Sequence, residues 1–270
     1  MQDRIIGLLT QIPGASQLWK LFAFGSVETR VRYGIFNRPH YAFGVYAGAN
    51  LAKRLGLNAI QTIEFGVAGG RGLVALERIA AAVEDYVGIQ ISVCGFDSGM
   101  GMPAPVDYRD LPHVWGEGFY TMNVEKLKAS LQPRTQLVLG DIKTTLARWK
   151  PEAPVSFVAF DLDYYSSTTE ALALFDRGSE ALLPRVYSYF DDIMWPPHAL
   201  HNEWLGELCA IREFNESHAH KKLCPIHMFR HTRVHQRPWN EQMYAFHDFK
   251  HPLYGKNITN PESEYTQKPL

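Results

Sequence analysis

Cysteine is scarce in this chain: Cys94, Cys209 and Cys224 are the three present, and no two form a Cys-x-x-Cys pair. An odd, scattered set builds neither a disulfide framework nor a zinc knuckle, and it suits a reducing compartment. A basic surplus is missing as well, since 27 Lys and Arg face 28 Asp and Glu for a net charge of −1. Nucleic acid is therefore not an expected partner. Residues 1–13 carry Asp3 and Arg4 and only a short apolar stretch over 5–9. That pattern matches neither a secretory leader nor a membrane span, so the expected setting is the cytoplasm, away from membranes. Repeats and low-complexity tracts are absent. The most specific absence concerns glycine: the glycine-rich turn at 66–70 does not follow the dinucleotide spacing Gly-x-Gly-x-x-Gly.

What is there instead is Glu64-Phe65-Gly66-Val67-Ala68-Gly69-Gly70, after an apolar run at 60–63 and before an apolar-periodic segment from Leu73 to Val83. The order reads as strand, tight turn, helix. Such a turn lets backbone approach a ligand closely and offers it the N–H groups and positive end of the helix. The spacing Gly-x-x-Gly-Gly favours a nucleoside cofactor without a pyrophosphate. The chain of 270 residues, 46% hydrophobic and 20% charged, fits one large soluble domain with additions. Residues 1–58 read as an N-terminal helical extension serving as acceptor pocket, lid or dimer contact, with a helix over 41–55. The core follows over 59–252, and 253–270 reads as a polar, loosely held tail.

Within the core, apolar runs at 60–65, 91–96, 136–139, 155–160 and 185–190 predict strands. Helical patterns at 72–83, 124–131, 144–150 and 167–182 separate them. Parallel neighbours need crossovers, so this alternation predicts an α/β fold with a mostly parallel sheet and helices on both faces. Aromatic-rich runs at 223–231 and 243–250 predict an antiparallel pair closing one side. Right-handed crossovers gather the loops after the parallel strands on one edge, where ligands bind.

All five parallel strands end in acids: Glu64, Asp97 with Ser98, Asp141 after Gly140, Asp161 with Asp163, and Asp191 with Asp192. Any one of these could simply cap a helix. Five together on one edge repel one another and call for hydroxyls and a cation to compensate. An acid after the second strand suits a ribose diol, which assigns Asp97 to the ribose and Asp141 to the adenine amine. Asp161, Asp163, Asp191 and Asp192 offer the oxygen ligands that hard divalent cations prefer.

These residues resemble a known family. Ile63 to Val67, Gly95-Phe96-Asp97-Ser98 with Met102-Pro103, Gly116-Glu117-Gly118-Phe119, Leu139-Gly140-Asp141 with Thr145-Leu146, Asp161-Leu162-Asp163-Tyr164-Tyr165-Ser166-Ser167-Thr168 and Asp191-Asp192 occur in the order seen in macrocin O-methyltransferases, the TylF-like family. The resemblance covers about residues 60–215. It implies a Rossmann-like class I methyltransferase fold, a seven-stranded sheet with an antiparallel last strand, and transfer of a methyl from S-adenosylmethionine to a hydroxyl of a small molecule such as a sugar or natural product. By matching positions it implies Glu64, Gly66, Val67, Gly69, Gly70, Asp97, Ser98, Gly140, Asp141 and Asp161 for the cofactor. It also implies magnesium on Asp161, Asp163, Asp191 and Asp192, with Asp161 or Asp191 as base, and it makes a homodimer plausible. Two departures stand out: Gly99-Met100 where the family has Phe-Glu, and Leu183-Pro184-Arg185 where it has a glycine pair.

Other features compete for roles. Nine of the 11 histidines lie after residue 197; His227, His231 and His235 offer a second metal site, but histidines that face solvent or pair with acids are the better reading. His198 and His201, close behind Asp191-Asp192, are better placed, and His198 joins Asp161 and Asp191 as a catalytic candidate. Trp195 with Pro196-Pro197 reads as a stiff loop wall. The segments Arg30 to Gly34 and Arg38 to Tyr41 are basic and aromatic, suiting an anionic or glycosylated acceptor, a docking contact with another subunit, or a solvated helix end. Two competing functions remain in view: an NAD(P)-linked oxidoreductase and a catalytically silent cofactor-binding protein.

Overall fold

The computed structural model describes residues 14–259. The apolar stretch at 5–9 and most of the expected tail, from residue 260 on, lie outside the described residues. Seven strands form one sheet: β1 (Ala59–Phe65), β2 (Gln90–Asp97), β3 (Thr135–Leu139), β4 (Val155–Phe160), β5 (Leu182–Phe190), β6 (Lys221–Pro225) and β7 (Met243–Asp248). Their order is β3-β2-β1-β4-β5-β7-β6. β1 to β5 run parallel, while β7 pairs antiparallel with both β5 and β6. The expected mostly parallel sheet with an antiparallel final strand is what the chain adopts. Strand β4 lies at the centre, and all six of its residues are buried, as a parallel strand covered on both faces requires.

Eight helices accompany the sheet among the described residues: α1 (Ala15–Phe22), α2 (Val27–Arg32), α3 (Pro39–Arg54), α4 (Arg71–Val87), α5 (Val124–Ser130), α6 (Ile142–Arg148), α7 (Tyr165–Leu172) and α8 (Gly206–Ser217). Order along the sheet reverses at β1, so right-handed crossovers send the helices to opposite faces. Accordingly α3 and α4 pack together and against β4, β5 and β2, whereas α6, α7 and α8 form a second contiguous group. Helix α3 starts with Pro39 at its first turn, where a missing N–H costs nothing. It lies very close to the sheet: a Cβ on Gly44 would fall 2.1 Å from the Phe157 ring. Tyr41, Ala42, Val45 and Ala49 are buried in the same core as the strands. The start of the tail is held too, with the Lys256 amine donating to the Leu55 carbonyl.

Two boundaries differ from expectation. The helical pattern at 167–182 stops at Leu172, passes through a 3-10 turn (Ala173–Asp176), and the apolar run from Leu182 opens β5 instead. A short buried apolar run does not distinguish helix from strand by periodicity. Pro184 is tolerated in β5 because register shifts there, Val155 pairing Leu182 while Phe157 pairs Tyr187. The strand expected over 223–231 ends at Pro225, which has no N–H to continue the ladder, and Met228 turns into the left-handed region before a 3-10 turn (Phe229–Thr232).

The register of the sheet prepares the site. Phe65, Phe96, Phe160 and Phe190 are aligned across β2, β1, β4 and β5. All four are buried, and the Phe160 and Phe190 rings stack at 4.6 Å with only 3° between planes. Burying each ring stabilises the fold by about 2 kcal/mol. The residues that follow, Gly66, Asp97, Asp161 and Asp191, consequently emerge in one row. Their edge remains laddered: Gly66 N–H donates to Phe96 O, Asp161 N–H to Phe65 O and Asp191 N–H to Phe160 O.

Candidate functional site

Above that row lies a cleft of about 1060 Å³. It sits over the carboxyl ends of β1 and β4, where strand order reverses and the fold leaves a crevice. Its lining includes Glu64, Gly66, Val67, Gly69, Gly70, Asp97, Ser98, Gly140, Asp141, Asp161, Asp163, Asp191 and Asp192. These are the glycine turn and strand-end residues singled out in the sequence. His198 stands apart: it is exposed in a short 3-10 turn (Pro197–Ala199) and is not among the lining residues. His227 and His231 are exposed on the irregular segment after β6, not on a strand.

The glycine turn is shaped by close approach. Gly66 has φ +84, a conformation glycine adopts without strain, and a Cβ there would fall 1.7 Å from the Asp161 carbonyl oxygen. Asp97 braces the turn from β2. Its Oδ2 accepts N–H bonds from Val67 (2.9 Å) and Ala68 (2.8 Å), and its Oδ1 accepts from Gly99 (2.7 Å). An ionised carboxylate has about four acceptor directions, so capacity remains for a ligand hydroxyl. Ser98 closes the next turn, its Oγ accepting from Met100 N–H and donating to Gly101 O. Asp141 caps α6 through Thr144 N–H (2.9 Å) while lining the cleft. Capping and ligand contact are compatible because the cap uses one oxygen.

Glu64 sits beneath the turn, 1% exposed. Its Oε1 accepts the Tyr41 hydroxyl at 2.6 Å, and its Oε2 has no hydrogen-bond partner. Gly72 makes room for it: a Cβ there would lie 1.8 Å from Oε1. Burial pushes the Glu64 carboxyl up to about 7, against the opposing pull of the Tyr41 hydrogen bond and of Arg38. Arg38 lines the same cleft. Burial works against its charge, but Tyr41, Glu64, Asp161 and Asp191 outweigh that and hold it above the ordinary guanidinium value.

The far half of the cleft is acidic. Asp161, Asp191 and Asp192 each bring one carboxylate oxygen within 4.8 Å of the others. Asp163, expected among them as a ligand, is not part of this trio. It takes φ +60, and its backbone N–H donates to Asp192 Oδ2 at 3.0 Å. The turn therefore uses Asp163 to orient Asp192, while burial lifts its own carboxyl to about 7. Behind them Glu207, wholly buried at the start of α8, accepts Asp192 N–H at 3.0 Å through Oε2 and leaves Oε1 without a partner. Burial first, and then mutual repulsion, raise Asp161, Asp192 and Glu207 well above the usual carboxylate range. Tyr189 donates its hydroxyl to Asp191 Oδ1 at 2.5 Å, and Gln242 donates to the Asp191 carbonyl. A trio of convergent carboxylate oxygens, from half-buried Asp161 and Asp191 and buried Asp192, suits a hard divalent cation.

The loop between β2 and α5 covers the cleft with Met100, Met102, Pro103, Glu117, Gly118 and Tyr120. Asp110, fully buried, anchors it: Oδ1 accepts Ser166 N–H and Oδ2 accepts Ser166 Oγ and Val106 N–H. Arg38 and Tyr41 belong to the basic, aromatic segment considered as an acceptor contact, while Asp110, Tyr189 and Glu207 were not found from sequence. Of these three, Tyr189, two residues before Asp191 on one strand face, had a local signal.

No protein-family model matches the chain, and no curated protein matches it. Among solved structures it is similar to CalS11, a calicheamicin methyltransferase, at 21% identity over 92% of this chain and 91% of that one, with a TM-score of 0.52. It is also similar to the O-methyltransferase NovP, at 14% identity over 77% and 79% of the two chains, with a TM-score of 0.51. At such identities the likeness establishes the Rossmann-like architecture.

Proposed function

We propose that this protein is an S-adenosylmethionine-dependent O-methyltransferase acting on a hydroxyl of a small molecule, with magnesium at the acidic trio. One observation carries the reading: a register-aligned row places a glycine turn braced by Asp97 and a trio of carboxylates in one cleft. The fold shared with CalS11 and NovP supports it, as does the resemblance to macrocin O-methyltransferases. A cleft of about 1060 Å³ has room for a nucleoside beside a second small molecule, since single-ligand pockets run from about 300 to 1,000 Å³.

When bound, S-adenosylmethionine supplies an electrophilic methyl, and magnesium supplies a Lewis acid that eases loss of the acceptor proton. The chain's part is placement and proton handling. The Gly66–Gly70 turn, Asp97 and Asp141 hold the nucleoside, and Glu64, fixed by the Tyr41 hydroxyl, lines the cleft beside them. Holding donor and acceptor in near-attack geometry is worth several kcal/mol. Asp161, raised above the ordinary carboxylate range by burial and by Asp191, would accept the hydroxyl proton. Asp191, oriented by Tyr189, and Asp192, oriented by Asp163 and Glu207, would hold the cation together with Asp161. Arg38 tempers the charge when the cation is away.

A thermal-shift series with S-adenosylhomocysteine, NAD and NADP, each with and without magnesium, tests this. A native-state ligand raises the midpoint by mass action. S-adenosylhomocysteine should stabilise the protein and magnesium should add to it. Stabilisation by NAD or NADP alone would replace this reading with the oxidoreductase.

A further inference from the structure

The large cleft is strongly acidic: nine of its lining residues are Asp or Glu, and two, Arg38 and Arg71, are cations. A ligand that brings its own carboxylate into such a place is repelled unless a cation meets it. Arg71 is exposed as the first residue of α4. Arg38 is half-buried at the cap of α3, just ahead of Pro39, with its guanidinium 5.1 Å from the centre of the Tyr41 ring.

Arg38 is fixed without being used up. Its Nη1 donates to the Tyr41 hydroxyl at 3.4 Å, and that hydroxyl donates in turn to Glu64 Oε1 at 2.6 Å. Among the described residues no carboxylate lies within ion-pair distance of Arg38. A guanidinium offers a planar fork of N–H donors suited to a carboxylate, and one long bond spends little of it. At the other end of the same chain of hydrogen bonds, Glu64 is buried, lines the cleft and keeps Oε2 without a partner. A buried, bare carboxylate oxygen calls for a donor, and a ligand ammonium supplies one. Tyr41 thus couples a cation with spare donors to an anion with a bare acceptor.

We propose that Arg38 holds the carboxylate of the cofactor's methionine portion, with Glu64 Oε2 taking the neighbouring ammonium. The inference rests on the S-adenosylmethionine reading of the cleft and adds to it a residue outside the glycine turn and the strand-end acids. An amino acid carries its two charges on one carbon, so a single Arg38–Tyr41–Glu64 chain serves both. Arg38 then determines specificity, since it separates the cofactor from nucleosides that lack the amino-acid end.

Calorimetry with three probes provides the test: S-adenosylhomocysteine, its decarboxylated analogue, which keeps the amine, and methylthioadenosine, which lacks the amino-acid end. Wild type, Arg38→Gln and, as a matched control, Arg71→Gln are compared. Wild type should prefer S-adenosylhomocysteine to the decarboxylated analogue by roughly tenfold or more, the scale of one hydrogen bond to a charged group. Arg38→Gln should lose that preference and bind the two alike. Its affinity for methylthioadenosine should stay within about twofold of wild type, which also shows that the variant's cleft is folded. Equal losses for all three probes would make Arg38 a structural residue and overturn the proposal, as would the same loss of preference in Arg71→Gln. Wild type that binds S-adenosylhomocysteine and its decarboxylated analogue equally overturns this inference alone. Wild type that binds none of the three removes the S-adenosylmethionine reading itself, and this inference with it.

Discussion

The two halves of the large cleft handle buried charge in opposite ways. On the glycine-turn side, Asp97 and Asp141 spend their oxygens on backbone N–H groups of the turn and of α6. On the far side Asp161, Asp192 and Glu207 crowd together, and Glu207 Oε1 has no partner. Glu64 lies between and shares both traits, with one oxygen on Tyr41 and one bare. A carboxylate that accepts several N–H bonds is stable as it stands, whereas a buried one without partners awaits protons or a cation. The first half is a finished scaffold. The second is finished only when charge is added.

Replacing acids on either side should separate the halves. Asp191→Asn is expected to cut turnover on the order of 10³-fold, the scale set by loss of a preorganised electrostatic group, with S-adenosylhomocysteine affinity within about twofold of wild type. Asp97→Ala should do the reverse, weakening S-adenosylhomocysteine roughly 10²-fold through the loss of charge-assisted bonds worth about 1.5 kcal/mol each. Calorimetry paired with a methyl-transfer assay distinguishes them. If Asp191→Asn loses cofactor affinity as steeply as Asp97→Ala, the division between the halves is wrong.

A smaller effect concerns pH. Burial lifts Glu64 from 4.5 to about 7, so the folded, ligand-free protein holds a proton that the unfolded chain releases earlier. Its contribution is present in full below about pH 4.5 and is lost as pH rises through about 7. At about 1.4 kcal/mol per pKa unit, wild type should lose roughly 3 kcal/mol more than Glu64→Gln between pH 4.5 and 8. Urea midpoints across that range, without metal or cofactor, measure it; parallel curves would mean Glu64 is not buried as described. The smallest effect belongs to His198→Ala. With its ring exposed and outside the cleft lining, kcat/KM should stay within about twofold, and a tenfold loss would return it to the catalytic set.

Much of the site was legible because it follows strand ends. Four of the five parallel strands close a short apolar run on a phenylalanine, and the residue after it is easy to find: Gly66, Asp97, Asp161, Asp191. Asp163 was harder, since its neighbours suggested a ligand while its left-handed backbone directs its N–H to Asp192. Helix α3 was read as part of an extension serving as acceptor pocket, lid or dimer contact; it supplies Tyr41 to Glu64, and its cap residue Arg38 lines the cleft. Nothing within 38–41 reveals that Glu64, 23 residues on from Tyr41, is its hydrogen-bond partner.

By itself the order of residues determined the parallel core, the glycine turn and the row of strand-end acids, because these depend on local periodicity and on the direction in which crossovers twist. Tertiary structure alone decided that β7 inserts between β5 and β6, that Glu207 stands behind Asp192, and that Arg38 meets the acids. Those outcomes rest on burial and on charges brought together from distant segments, and the energy of such encounters exists only once the chain has closed on itself.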